Sequence, residues 1–317
     1  MVDKELRVAW MADIFDEVSG VITDTEEMYE QARKHDIFLQ PVTTYPKELY
    51  PFHRFKHLFK IPLGTFYRGS WAYVPDFFKV TRYLRENNIN VVVSNTPGIM
   101  GMVAMASARY LRLPWVDIYH TDIDFYMDVL SVGPLRPFVN RTALMVLKQY
   151  QKRADLIFVR TQQYFDLKVK KGHPPEKLRF YPAGVNIEHW RPENRDPEVW
   201  RKFGIDPDKF IVLYVGRITR VKDILYLLEA FAQQGLHDAE LVLVGSGPEK
   251  ELYEEQYGSL PNVHFLGIRR GEELQKIYAS SDLYVLPSAS ETLGKTVLEA
   301  MASGTPVLVS DQGGPKD

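Results

Sequence analysis

The chain has 317 residues, 45% of them hydrophobic and 25% charged, with a net charge of −2 and no cysteine. At roughly 150 residues per domain there is room for two domains, and the composition is that of a folded globular protein, which excludes disordered, collagen-like and coiled-coil chains. The balanced charge offers no basic field to a nucleic acid, and the lack of cysteine excludes a disulfide framework, a thiol nucleophile and a cysteine-bound metal.

Met1–Arg7 carries acids ahead of a short apolar run, unlike a signal peptide. No stretch approaches the roughly 18 apolar residues of a membrane span. A cytoplasmic protein is expected, at most peripheral on the inner face of a membrane. In chain order, β-rich apolar runs alternate with helix-period segments. Leu6–Met11 is followed by the helical run Thr23–Lys34 and by Phe38–Val42; helix Phe77–Glu86 leads to Val91–Ser94, Trp115–Tyr119 and Leu156–Val159. A second series holds Ile211–Val215, helical Leu225–Phe231, Leu241–Val244, Val263–Leu266, Leu283–Leu286, helical Leu293–Ser303 and Val307–Val309. Strands apolar on both faces and joined by helices predict parallel sheets in an α/β protein. The intervening stretch is polar and rich in Pro, Asp and Asn. It predicts an N-terminal domain over 1–183, a linker over 184–204 and a C-terminal domain over 205–317. Ligands are expected at the carboxyl ends of the strands, in a cleft between the two sheets.

Four strand-to-helix loops carry chemistry. After Leu283–Leu286, Glu291 stands at the predicted mouth of a helix, and Glu299 lies roughly 12 Å further along it at 1.5 Å per residue. Between them the amides of Leu293 and Gly294 could receive an anion. Two carboxylates beside an anion site suit a nucleotide-sugar; the spacing equally fits a dipole-complementing Glu291 and a solvated Glu299. After Ile211–Val215 come Arg217 and Lys222, two cations for a diphosphate or two exposed loop charges. His120 ends the strand Trp115–Tyr119, as a ligand contact or a satisfied structural histidine. Asp122 and Asp124 form a D-x-D pattern too common to carry weight. Gly20, before the first helix, either presents amides to phosphate or serves the turn alone. Gly245-Ser246-Gly247-Pro248 lacks the remaining features of a nucleotide loop and reads as a turn. Pro51–Lys60 interleaves aromatic and basic residues, as an anionic membrane contact or an acceptor-side loop with Phe in the core.

These loops, in this order, resemble the group 1 (family 4) retaining glycosyltransferases of the GT-B fold. The most specific part is NVHFLG followed by YASSDLYVLPSASETLGKTVLEAMASGTPVLVSDQGGP, which contains an E-x7-E pair, Glu291 and Glu299, and a Gly-Gly-Pro segment. VGRITRVKD, LVLVGSGPE and AGVNIEHWRP are similar to the family's diphosphate loop, next turn and interdomain linker. ADIFDEVSGVITD, YHTDIDFY and RADLIFVRT are similar to members that glycosylate lipids with GDP-mannose or UDP-sugars.

The resemblance implies two Rossmann-like parallel-sheet domains facing a cleft, and a metal-independent retaining hexosyltransferase without a cofactor. Its donor would be a GDP- or UDP-sugar and its acceptor a lipid or glycan hydroxyl. It implies that Arg217 and Lys222 hold the diphosphate with the amides of Leu293 and Gly294, and that Glu291 binds sugar hydroxyls and Glu299 the ribose. It also implies that His120 lies near the anomeric centre, Gly20 near the phosphates and Ile268 at the base. Three positions depart from the family pattern: Ser19 precedes Gly20, Leu293 replaces a usual Phe, and Lys295 replaces an apolar residue and is expected to point outward. Family members continue past Gly-Gly-Pro, so a C-terminally truncated second domain is expected. A non-catalytic nucleotide-sugar-binding module that partners another transferase is the alternative.

Overall fold

The computed structural model describes residues 5–14, 20–62, 71–120, 145, 146, 149–181, 184–233, 236 and 238–317. The chain divides into two compact units, Met1–Tyr181 and Pro182–Asp317.

The first unit is built on a seven-stranded parallel sheet. Its strands are β1 (Arg7–Met11), β2 (Phe38–Thr43), β3 (His53–Arg54), β6 (Val91–Ser94), β7 (Trp115–Ile118), β8 (Leu156–Val159) and β9 (Leu178–Phe180), in the order β3-β2-β1-β6-β7-β8-β9. Helices α1 (Gly20–Lys34), α2 (Phe77–Glu86), α3 (Ile99–Leu111) and α4 (Gln162–Lys170) connect them. Side chains alternate across the sheet as a pleated strand requires. Ala9 and Met11 pack with Val80, Leu84, Met100 and Ala104 on one face, while Val8 and Trp10 pack with Ala32, Val93 and Ile118 on the other.

A separate hairpin pairs β4 (His57–Pro62) with β5 (Trp71–Pro75) in antiparallel register. The sequence did not predict these strands, because His57–Pro62 lacks apolar alternation; every residue of β4 is exposed. The Phe residues of the 51–60 segment divide accordingly. Phe52 and Phe55 pack at the edge of the core, whereas Phe59 is 55% exposed beside Leu58 at 63%.

The second unit holds a five-stranded parallel sheet of β10 (Phe210–Val215), β11 (Ala239–Val244), β12 (Val263–Gly267), β13 (Leu283–Leu286) and β14 (Val307–Val309), in the order β12-β11-β10-β13-β14. Its helices are α5 (Ile224–Gln233), α6 (Lys250–Tyr257), α7 (Gly271–Ala279) and α8 (Lys295–Ala302). The stretch 184–204, expected to be a linker, is part of this unit. Val199 and Trp200 are completely buried in its core, Trp200 Nε1–H donates to the Ser280 carbonyl (3.1 Å), and the Asp196 amide donates to Ser280 Oγ (2.8 Å).

In both sheets the strand order reverses beside the first strand, at β1/β6 and at β10/β13. Loops leaving such a point diverge to opposite faces and leave a crevice at the carboxyl edge. Most of the predicted site residues lie on loops at these two places.

Candidate active site

In the second unit the structure brings Lys222 and Glu291 together. Lys222 ends a short 3-10 turn after β10, Glu291 lies in the loop after β13, and the ammonium is paired with Glu291 Oε2. The loops are laced by side chains that sequence reasoning passed over. Ser288 Oγ and Ser290 Oγ both donate to the Val221 carbonyl (3.0 and 3.1 Å), and the Ala289 amide donates to Asp223 Oδ2 (3.2 Å). The Gly314 amide of the Gly-Gly-Pro segment donates to the Glu291 carbonyl (2.7 Å). These buried hydroxyls and amides thereby find partners, which fixes the loop more firmly than packing of small residues alone.

Two details correct the sequence reading. Helix α8 begins at Lys295, not at Leu293, because Gly294 adopts a left-handed conformation (φ 76°) as the residue before the helix. Its Cα also faces Pro315, whose ring would lie 2.9 Å from an added Cβ. The Gly294 and Thr292 amides hydrogen-bond the Glu291 carboxylate. Burial pushes that acid's pKa up, but Lys222 and these amides outweigh it and hold it below the usual glutamate value. Lys295, expected to point outward, has a buried ammonium nitrogen.

Glu299 is not solvated. It is 9% exposed and its Oε2 accepts from the Tyr278 hydroxyl (2.9 Å). Tyr284 is held well above its usual pKa by burial first and by the charges of Glu291 and Glu299 as well. Arg217 is half-buried, and its carbonyl accepts from the buried Tyr214 hydroxyl (2.9 Å). The turn at Gly245–Gly247 supports this loop: Ile218 N–H donates to the Ser246 carbonyl (3.0 Å). A Cβ on Gly245 or Gly247 would lie 1.9 or 2.2 Å from the carbonyl oxygens of Gly216 and Ile218. Leu293 is half-buried, and Ile268 follows edge strand β12 with 44% of its surface exposed.

In the first unit Gly20 is the exposed first residue of α1, with nothing within 4 Å of a Cβ built there. Asp13, in the loop after β1, is buried against the start of α3. The Met100 amide donates to its Oδ1 (2.9 Å) and Thr96 Oγ1 donates to its Oδ2 (2.7 Å). Burial raises its pKa against those hydrogen bonds.

His120 follows β7, with Nε2 against Asn95 Oδ1 and Nδ1 3.0 Å from Arg160 Nη2. Asp24, on α1, accepts from Arg160 Nη2 (2.8 Å). Burial first, and then the Arg160 charge, hold the imidazole well below its usual pKa. Asp24, Asn95 and Arg160 were not singled out from the sequence. Asp122 and Asp124 lie outside the described residues. Among the described residues no three His, Asp or Glu side chains cluster to hold a metal, and no helix is long and apolar enough to cross a membrane.

The model of Glycosyltransferase Family 4 matches residues 18–189, and that of Glycosyl transferases group 1 matches residues 196–317. The chain belongs to glycosyltransferase family 4. Among similar proteins, the sulfoquinovosyl transferase SQD2 of Arabidopsis thaliana is 34% identical over 72% of this chain and 44% of its own length. A GDP-mannose-dependent alpha-mannosyltransferase of Mycobacterium tuberculosis is 28% identical over 98% of this chain and 81% of its own. The alpha-monoglucosyldiacylglycerol synthase of Acholeplasma laidlawii is 26% identical over 92% and 77%. Among solved structures, a sucrose-phosphate synthase of Thermosynechococcus elongatus superposes with a TM-score of 0.74 at 22% identity, covering 97% of this chain and 82% of that one. The fold of this family 4 glycosyltransferase is GT-B.

Proposed function

We propose that this family 4 glycosyltransferase is a retaining hexosyltransferase without a metal requirement. It moves a mannose- or glucose-type hexose from a GDP- or UDP-sugar to a hydroxyl of a lipid or glycan. One observation carries the reading: Lys222 and Glu291, 69 residues apart, meet on loops laced together at the β10/β13 reversal, and Arg217 belongs to the same loop after β10 as Lys222. Arg217 and Lys222 supply positive charge where the departing diphosphate gains negative charge. Glu291 and the buried Glu299, both acceptors, bind hydroxyls of the sugar and the ribose, and Ile268 contacts the base. From the first unit, Gly20 admits a phosphate and His120 contacts the sugar near the anomeric carbon. The bond from that carbon to the diphosphate oxygen breaks as the acceptor oxygen bonds to it on the same face, and the acceptor's proton passes to the leaving phosphate. No protein carboxylate need act as the base. The relatives named for GDP-mannose and for glucosyldiacylglycerol support the donor and acceptor classes.

A panel of GDP- and UDP-sugars screened by thermal stabilisation identifies the donor, since ligand occupancy raises the unfolding temperature. Arg217→Ala and Glu291→Ala are then expected to abolish transfer, by at least about a hundredfold, while unfolding cooperatively as the wild type does; EDTA is expected to leave turnover unchanged. Retained transfer in both variants, or strict dependence on a divalent cation, overturns the reading. Donor binding with neither transfer nor hydrolysis points instead to a binding module.

A further inference from the structure

We propose that Arg160 is a positioning residue for His120: anchored by Asp24, it holds the imidazole as the Nε2–H tautomer and keeps a second proton off it. The assignment follows from donors and acceptors alone. Trp10 Nε1 is a donor only and lies 3.2 Å from Thr25 Oγ1, which gives its one proton to the Val21 carbonyl (2.7 Å). Thr25 Oγ1 therefore accepts from Asn95 Nδ2 (3.1 Å). This fixes the Asn95 amide with its oxygen toward His120, so Nε2 must carry the hydrogen that bonds it. On the other side Arg160 is also a donor only. Its Nη2 carries two hydrogens, one directed to Asp24 Oδ1 (2.8 Å) and one to His120 Nδ1 (3.0 Å), and a nitrogen that accepts cannot be protonated. Both ring nitrogens are thus assigned by groups whose own roles cannot reverse.

The surroundings agree. Arg160 and Asp24 have side chains 3% and 11% exposed, and a guanidinium so far from water is costly unless something requires its charge there. Its Nε and Nη1 have no hydrogen-bond partner among the described residues, and its Cζ lies 4.2 Å from the centre of the Tyr181 ring. Among the described residues, the charged groups placed against the imidazole are Asp24 from α1, with Oδ2 3.7 Å from Nε2, and Arg160 after β8; the loop after β6 contributes the uncharged Asn95. Of the two charges, the cation makes the closer contact. Its sequence neighbours Leu156–Val159 belong to a buried strand, so Arg160 reads in the sequence as the polar end of an apolar run and nothing more.

Nitrogen-15 NMR of the histidine side chains in the intact chain tests this, with His120→Gln assigning the resonance. In the wild type His120 is expected to show the Nε2–H pattern and no titration from pH 5 to 8. In Arg160→Gln, whose amide can accept, it is expected to take up a second proton at higher pH than in the wild type and so to begin titrating within that range, with burial of the ring still opposing the charge. Arg160→Lys, which only donates, is expected to keep it neutral. A wild-type imidazole protonated at Nδ1, which needs no variant to detect, or an Arg160→Gln titration indistinguishable from the wild type overturns the proposal. Its bearing on catalysis rests on the proposed contact between His120 and the donor sugar. Calorimetry of the Arg160→Gln protein with the nucleotide-sugar that stabilises the wild type is expected to show binding several-fold weaker at pH 5.5 than at pH 8. Equal binding at both values, beside a shifted His120 titration, overturns the donor contact and leaves the Arg160 assignment standing.

Discussion

At the scale of single residues, the first unit contains a buried carboxyl whose ionisation opposes folding. Asp117, on β7, is 1% exposed; Ser94 Oγ donates to its Oδ1 (2.8 Å) and Gln151 Nε2 to its Oδ2 (3.2 Å). Burial dominates, and its pKa is pushed up to about 6 despite those donors and the nearby Lys168. A folded value above the unfolded one means that the contribution to stability is present at low pH and lost as the pH rises through about 6. Asp117→Asn removes that titration. The unfolding temperature of the variant minus that of the wild type is therefore expected to increase between pH 4.5 and pH 7.5; a gap that shrinks over that range contradicts the assignment.

Among the elements, two stretches that looked unstructured in the sequence turn out to matter in opposite ways. The 184–204 stretch has few apolar residues, yet Trp200 fills the second unit's core with no exposed surface. Trp200→Ala is expected to destabilise that unit by about 3–5 kcal/mol. Hydrogen exchange should accelerate across β10 to β14 and not across β1 to β9. The β4–β5 hairpin does the reverse and turns apolar groups outward. Leu58, Phe59 and Ile61 are 63%, 55% and 43% exposed, Lys56 precedes them and Lys60 lies between Phe59 and Ile61, and Lys60 Nζ stands 4.1 Å from the Trp71 ring centre. One of the two expectations for segment 51–60 is a contact with an anionic lipid surface, to which each lysine near the headgroups would contribute about 1 kcal/mol. Sedimentation with anionic liposomes at low salt is expected to carry the wild type down and to leave Phe59→Ser with Lys60→Glu in the supernatant. Equal partition of the two proteins would rule the contact out.

For the molecule as a whole, the parallel sheets were legible because a strand buried on both faces must be apolar along its length. Val91–Ser94, Leu156–Val159, Leu283–Leu286 and Val307–Val309 have the same bounds in sequence and structure. The site was legible where adjacent residues carried it, as in the loop from Ser288 to Gly294. It was not legible where the chemistry comes from residues distant in sequence. Asp24 and Arg160 are separated by 136 positions, and no local pattern requires an acid on α1 to meet a cation after β8. The start of α8 was misread for a different reason: a single acid, Glu291, followed by Thr292 and Leu293 resembles the mouth of a helix, and the left-handed Gly294 postpones the first turn.

The amides around Glu291 have one more consequence. The loop after β13 is equipped to receive an anion, but it already holds its own, since Glu291 lies on the Thr292 and Gly294 amides and against Lys222. Asp13 does the same at the start of α3. A small inorganic ion, with nothing but charge to offer, must displace a tethered counter-ion that is never diluted away. A nucleotide-sugar brings a base, a ribose and a hexose to other contacts and can shift Glu291 from an amide ligand to a hydroxyl ligand without losing its charge. If Glu291 binds the donor as proposed, its carboxylate would compete with the phosphate and chloride of the surroundings for the same amides and ammonium, and selectivity among anions would come from a residue that itself carries negative charge.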